Sequence, residues 1–362
     1  MKKVLFTLLL LSGLSKGQER PKLVVGLVVD QMKMEYLYRF SNDFSANGFK
    51  RLQSDGFTFH NVHYNYMPTY TGPGHASIYT GTTPSVHGIV GNEWFNKAIG
   101  KDVYCTDDVL ERTLGNGSKS EGEMSPRNLQ STTITDELKL ATKFEGKVIG
   151  MSLKDRGAIL PAGHFANWAF WYSSTGSFIS STYYGKELPN WLTQFNEQKH
   201  YLKYLNKGWY LLKDKSVYNE SLNDNSPYEG KMFQKEPFLP YNLKDMYDNN
   251  DAGVLKSTPY GNSILADLAK AAIDGEALGQ DEITDFLTVS FSATDYIGHK
   301  LGPRAIELQD TYLRLDETIA DLLGFLDKKV GKGNYLVFLT ADHGGAENVS
   351  YLKDNKYKVE AI

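Results

Sequence analysis

Cysteine is almost missing from this chain: Cys105 is the only one among 362 residues. One thiol excludes an intramolecular disulfide, so stability has to come from a hydrophobic core and from any bound metal. Asp107 and Asp108 follow it closely and no basic residue or histidine adjoins it, which argues against a thiolate nucleophile. Long hydrophobic runs are also missing. Val4–Leu14 is the one sustained apolar stretch, and it is too short to span a bilayer. There is no excess of positive charge. A formal net charge of −4 and a pI near 6.1 exclude the basic footprint of a nucleic-acid binder. No internal repeat or low-complexity tract occurs.

What is present is ample core material, at 41% hydrophobic residues, and many aromatics, 13% of the chain with 23 tyrosines. The length suits one large domain or two ordinary ones. Lys2 and Lys3 precede the Val4–Leu14 run, and Ser15-Lys16-Gly17 gives a small-x-small cleavage pattern before Gln18. This order reads as a signal peptide over residues 1–17 and predicts an exported protein, periplasmic or secreted, with no membrane span.

Apolar strand-like stretches alternate with helical ones, which predicts an α/β fold built on a doubly wound, mostly parallel sheet. Strands are expected at Leu23–Val29, Phe57–Tyr66, Lys147–Ser152, Phe286–Phe291 and Asn334–Thr340. Helices are expected at Met32–Phe40, Phe44–Asp55, Gly74–Thr80, Thr132–Ala141, Gly261–Leu278 and Ile306–Lys328. Between about residues 161 and 251 the composition shifts to Trp, Tyr, Asn, Ser and Pro without clear alternation. That stretch predicts an inserted, aromatic-rich cap within a domain covering 18–362.

The chemistry gathers where strands end. Leu23–Val29 runs into Asp30. Phe286–Phe291 leads to Asp295 and His299, four apart and therefore on one face of a helical turn. Tyr335–Thr340 runs into Asp342 and His343, followed by Gly344 and Gly345. Residues at the carboxyl ends of parallel strands converge on one edge, and a mixed Asp and His set suits zinc in an open site. Thr69-Tyr70-Thr71-Gly72-Pro73-Gly74-His75 places a hydroxyl where a helix begins, with free backbone N–H groups for an anion. Lys154 and Arg156 follow the Lys147–Ser152 strand and suit phosphoryl oxygens, as does Asn92 in Gly91-Asn92-Glu93. Each residue also has a plainer local reading. An Asp after a strand often caps a helix, Thr71 suits an ordinary N-cap, Asn92 a turn, and Lys154 with Arg156 a solvated patch.

Taken as a set, these motifs resemble the alkaline phosphatase superfamily, and most closely its phosphate-irrepressible periplasmic bacterial branch. They are Val28-Val29-Asp30, Thr69-Tyr70-Thr71-Gly72-Pro73-Gly74-His75, Gly81-Thr82-Thr83-Pro84-Ser85-Val86-His87-Gly88-Ile89, Gly91-Asn92-Glu93, Lys154-Asp155-Arg156, Asp295-Tyr296-Ile297-Gly298-His299 and Thr340-Ala341-Asp342-His343-Gly344. The resemblance implies hydrolysis of phosphate monoesters with two zinc ions and a phosphothreonine intermediate on Thr71. It implies one zinc on Asp30, Asp342 and His343, a second on Asp295 and His299, and phosphoryl contacts from Asn92, Lys154 and Arg156. Small phosphate esters are the implied substrates. The pattern departs at one point: the resemblance implies a further histidine on the second zinc, and none follows His343. The sequence therefore predicts a chain shortened at its carboxyl end with a weaker second zinc. Two rival readings stay open, a phosphodiesterase or nucleotide pyrophosphatase on the same scaffold and a shortened chain that binds without turnover.

Overall fold

The computed structural model describes residues 20–234, 238–247 and 251–359, so the expected signal peptide lies outside the described residues. The strands in chain order are β1 (Leu23–Val29), β2 (Glu93–Asn96), β3 (Lys101–Tyr104), β4 (Thr113–Leu114), β5 (Val148–Ser152), β6 (Trp168–Tyr172), β7 (Phe178–Ser181), β8 (Asp285–Phe291) and β9 (Tyr335–Thr340). Seven of them form a single sheet in the order β4-β7-β6-β5-β8-β1-β9, while β2 and β3 pair as a separate antiparallel hairpin. The centre of the sheet, from β6 through β5, β8 and β1 to β9, is parallel, and β7 and β4 add an antiparallel flank.

The parallel strands are apolar on both faces because helices cover both. Leu23, Val25, Leu27 and Val29 of β1 join a core with α3 and α5, while Val28 joins Tyr79 of α1 on the opposite face. Here α1 spans Thr71–Thr80, α2 Asp155–Ala162, α3 Tyr260–Gly275, α4 Ala293–Leu301 and α5 Ile306–Leu326. Gly26 lies on the α1 side, where a Cβ would collide with the Tyr79 hydroxyl and the Phe338 ring. α1 stops at Gly81, whose left-handed φ of 65° lets its N–H close back on the Ser77 carbonyl.

Register explains why the strand ends converge. Ser152 pairs with Ser290, Ser290 with Val28 and Val28 with Thr340, so these four residues form one line across the sheet. Lys154, Asp30 and Asp342 each lie two residues beyond that line, and Asp295 falls in the first turn of the helix that follows β8.

Two expectations need correction. Phe57–Tyr66 is not a strand: its alternation finds no pairing edge among the described residues, and Phe57 and Phe59 stay 80% and 72% exposed. The aromatic stretch starting near residue 161 is in part sheet rather than cap, because Trp168–Tyr172 and Phe178–Ser181 are the buried strands β6 and β7. Beyond them, the described residues of 182–234, 238–247 and 251 form short helices and irregular chain. Asp310 of α5 anchors this segment. Its carboxylate accepts from Trp209 Nε1 at 2.8 Å, Leu212 N at 2.7 Å and the Tyr218 hydroxyl at 2.5 Å, with Arg314 Nε at 2.7 Å.

Asp310 is fully buried, so replacing it strands several donors at once. Asp310→Ala is expected to cost about 3–5 kcal/mol and to expose the 182–251 segment to limited proteolysis. A urea melt read beside a proteolysis time course checks this. Wild-type stability with wild-type cleavage would contradict the anchoring role.

Candidate active site

Asp30, Asp295 and His343 each offer a donor atom within 4.8 Å of the others. Asp342 adjoins them, its Oδ2 lying 3.6 Å from His343 Nε2. His343 Nε2 is also 3.4 Å from Asp30 Oδ1, 3.9 Å from Asp295 Oδ1 and 3.4 Å from the Thr71 hydroxyl. Thr71 opens α1, so its oxygen sits at a helix N-terminus and beside these carboxylates at once. His299 stands apart. Its Nε2 is 3.1 Å from Asp295 Oδ1, and its side chain is 69% exposed. The close cluster therefore draws Asp295 in with Asp30 and His343, across the two ligand sets that the resemblance implies.

The structure places Lys154 differently from a simple substrate contact. Its ammonium is 2.6 Å from Asp30 Oδ2 and 2.6 Å from Asp295 Oδ2, and 3.5 Å from Thr71 Oγ1. The side chain is 2% exposed, because a carboxylate just past β1 and another in the first turn of α4 draw in the cation nearest them. Arg156 does face the cleft, a space of about 550 Å³ that Thr71, Asn92, Asp295, His299 and His343 also line. Arg156 NH1 donates to the Tyr104 hydroxyl at 2.9 Å. Asn92 Oδ1 accepts from Gly72 N at 2.7 Å, which ties it to the start of the threonine's helix. Cys105 is fully buried beside Ala76 and Leu129, and burial pushes its thiol well above the usual range, as suits a bystander.

Gln31 and His75 take part here without having been singled out in the sequence. Gln31 lies in the left-handed region at φ 65°, which a non-glycine residue adopts only when its surroundings hold it there. Its backbone N–H donates to Asp342 Oδ1 at 3.1 Å and its Nε2 to Asp295 Oδ1 at 2.7 Å, so one residue orients two carboxylates. The nearest sequence signal is two glycines, since a Cβ at Gly298 or Gly345 would meet the Gln31 side chain. His75, although inside the threonine motif, is a buried brace. Its Nδ1 meets the Thr71 carbonyl at 2.9 Å and lies 3.2 Å from Asp342 Oδ2, and its Nε2 meets Ser290 Oγ at 2.7 Å.

The charges bias each other. Burial opposes ionisation of Asp342, but His75, His343 and Lys154 outweigh it and hold the carboxyl at about 2. Burial likewise opposes charge on His343, yet Asp30 and Asp342 push it up to about 9. Asp295 is raised by burial and by Asp30, and the opposing bonds to His299 and Lys154 leave it below the ordinary carboxylate range. The hydrogen bond to Asp295 raises His299. Asp30 Oδ1 and Asp342 Oδ2 are buried carboxylate oxygens without a hydrogen bond. Such oxygens are costly unless a cation meets them, so this donor set fits a metal ion.

A mostly parallel α/β sheet with acidic residues, imidazoles and a helix-borne hydroxyl along its carboxyl edge defines the class of protein. The Type I phosphodiesterase / nucleotide pyrophosphatase family model matches residues 24–362, and the chain belongs to that family, within the alkaline phosphatase superfamily. It is 50% identical to the alkaline phosphatase PafA of Elizabethkingia meningoseptica over 98% of this chain and 66% of that protein. It is 52% identical to the alkaline phosphatase PhoV of Synechococcus elongatus over 92% of this chain and 61% of that protein. The crystal structure of PafA superposes with a TM-score of 0.92 at 52% identity, over 94% of this chain and 66% of that one. The chain thus spans about two thirds of the length of these relatives.

The raised His343 sets a pH dependence for the metal-free chain. A histidine whose folded value lies near 9, against an ordinary 6.5, contributes stability that is fully present below about 6.5. That contribution is lost as pH rises toward 9. Zinc favours neutral imidazole, so added zinc should stabilise the chain more at pH 9 than at pH 6. Thermal melts with chelator and with zinc across that range check it. A zinc effect that shrinks as pH rises would contradict the arrangement.

Proposed function

We propose that the chain hydrolyses phosphate monoesters with zinc, through a phosphothreonine on Thr71. The observation that carries this reading is the buried Thr71 hydroxyl, 3.4 Å from His343 Nε2 and 3.5 Å from Lys154 Nζ, at the start of a helix. Asp30, Asp342 and His343 would hold one ion and Asp295 and His299 the other, a division taken from the superfamily resemblance. When bound, zinc supplies Lewis-acid charge that favours the ionised hydroxyl and eases departure of the ester oxygen.

The chain's own groups do the rest. Thr71 Oγ gives up its proton to solvent and forms a bond to phosphorus as the ester P–O bond breaks, and the alcohol leaves with a proton from solvent. Water then attacks phosphorus, the Oγ–P bond breaks, inorganic phosphate is released, and a proton from the water restores the threonine hydroxyl. Arg156 and the Asn92 amide meet the non-bridging oxygens, Lys154 adds its charge beside Thr71 from its place between Asp30 and Asp295, and the N-terminal end of α1 adds positive field there. Gln31 and His75 hold the carboxylates at fixed angles, which limits reorganisation during reaction. The cationic pair favours a monoester, which carries one more negative charge than a diester. The N-terminal sequence pattern supports export to the periplasm or beyond, and no helix among the described residues is long and apolar enough to cross a membrane.

Diester or pyrophosphate hydrolysis is the second reading, and the family description favours it. Paired aryl phosphate monoester and diester substrates, with added zinc, separate the two. Thr71→Ala should lower monoester turnover by about a hundredfold or more. Arg156→Ala should lower monoester kcat/KM by about tenfold or more and touch the diester less. Full monoester turnover in Thr71→Ala would sink the proposal, and faster diester than monoester turnover would establish the second reading.

A further inference from the structure

The β2–β3 hairpin has no part in the sheet, yet Asn92 at its start lines the cleft and Tyr104 at its end contacts Arg156, which lines it too. Asn92 immediately precedes β2, and Tyr104 closes β3 opposite Glu93. The Asn92 carbonyl accepts from Cys105 N at 2.9 Å, and the Asn92 side chain caps Gly72. From the other strand, the Tyr104 hydroxyl reaches Arg156.

The direction of each hydrogen bond there is fixed by proton count. A phenol has one proton, and Tyr104 donates it to Asp155 Oδ1 at 2.6 Å. Burial and Asp155 both keep that phenol protonated. Only its lone pairs remain for Arg156 NH1, at 2.9 Å. Thr106 Oγ1 braces the same Asp155 oxygen at 3.1 Å. Asp155 precedes Arg156 in the chain, but the tyrosine stands between the acid and the guanidinium. Among the described residues no carboxylate lies within ion-pair distance of Arg156, so Asp155 acts on its charge only from beyond the tyrosine. Its Nε is buried and makes no hydrogen bond.

We propose that this hairpin is the positioning element for the phosphoryl-binding groups, with Tyr104 as the residue that aims Arg156 into the cleft while Asn92 is set from the opposite strand. This rests on the role given to Arg156 above. A guanidinium on a long side chain loses much rotamer freedom when it binds. A fixed acceptor that removes this freedom beforehand lowers the ordering cost of binding a phosphoryl oxygen. Tyr104 touches no substrate in this account and acts only through Arg156.

The test is inorganic phosphate binding to the full chain with added zinc, for wild type, Arg156→Ala, Tyr104→Phe and the double variant. Arg156→Ala should raise Kd about tenfold or more, and Tyr104→Phe about three- to tenfold. The double variant should bind no more weakly than Arg156→Ala alone, because the tyrosine has nothing left to aim. Asp155→Ala should repeat this loss and its non-additivity, with urea melts confirming that each variant folds. An unchanged Kd in Tyr104→Phe, or a double variant in which the two losses multiply, would overturn the inference while leaving the role of Arg156 intact. An unchanged Kd in Arg156→Ala would instead remove the reading on which the inference stands.

Discussion

Three carboxylates, those of Asp30, Asp295 and Asp342, are gathered with little solvent at one edge of the sheet. Left to themselves they would repel, and opposite charge nearby offsets that repulsion. The Lys154 ammonium bridges two of them, and His343 and His75 adjoin the third. Two oxygens still make no hydrogen bond. The site is thus built around a demand for cations, and the threonine hydroxyl lies within the same field.

The fold meets that demand through register. A shared line across β5, β8, β1 and β9 fixes where each strand ends, so residues far apart in sequence arrive together. The α1 helix then points its N-terminus at the same edge, and the β2–β3 hairpin approaches from outside the sheet. Chain just beyond the central strands carries Asp30, Lys154, Asp342 and His343, the helix after β8 carries Asp295 and His299, and α1 carries the hydroxyl. The segment after β7 is held to α5 through the buried Asp310, and its Tyr228 and Gly230 line the cleft.

Much of this was legible in the sequence because strand ends and motifs are local. The bounds of β1 match the expectation at both ends, and β8 and β9 differ by a single residue. Asp30, Asp295, Asp342, His343 and Thr71 do meet at one edge. What was not legible depends on partners distant in the chain. Alternation in Phe57–Tyr66 describes a face, but a strand also needs an edge to pair with. The aromatics of β6 read as cap because composition does not distinguish a buried strand from a covering loop. Lys154 bonds Asp30 across 124 positions and Gln31 bonds Asp295 across 264, and no local pattern announces such contacts. Asn92 carries its motif, but its capping of Gly72 appears only once the hairpin is in place.

The central claim is that the carboxylate edge is a metal centre, and zinc titration by calorimetry tests it most directly. Chain stripped of metal should bind zinc saturably, with proton release that grows where His343 is charged. Asp30→Asn combined with Asp342→Asn should abolish the tighter phase. Zinc uptake that is non-saturable, or unaffected by these two substitutions, would contradict the account.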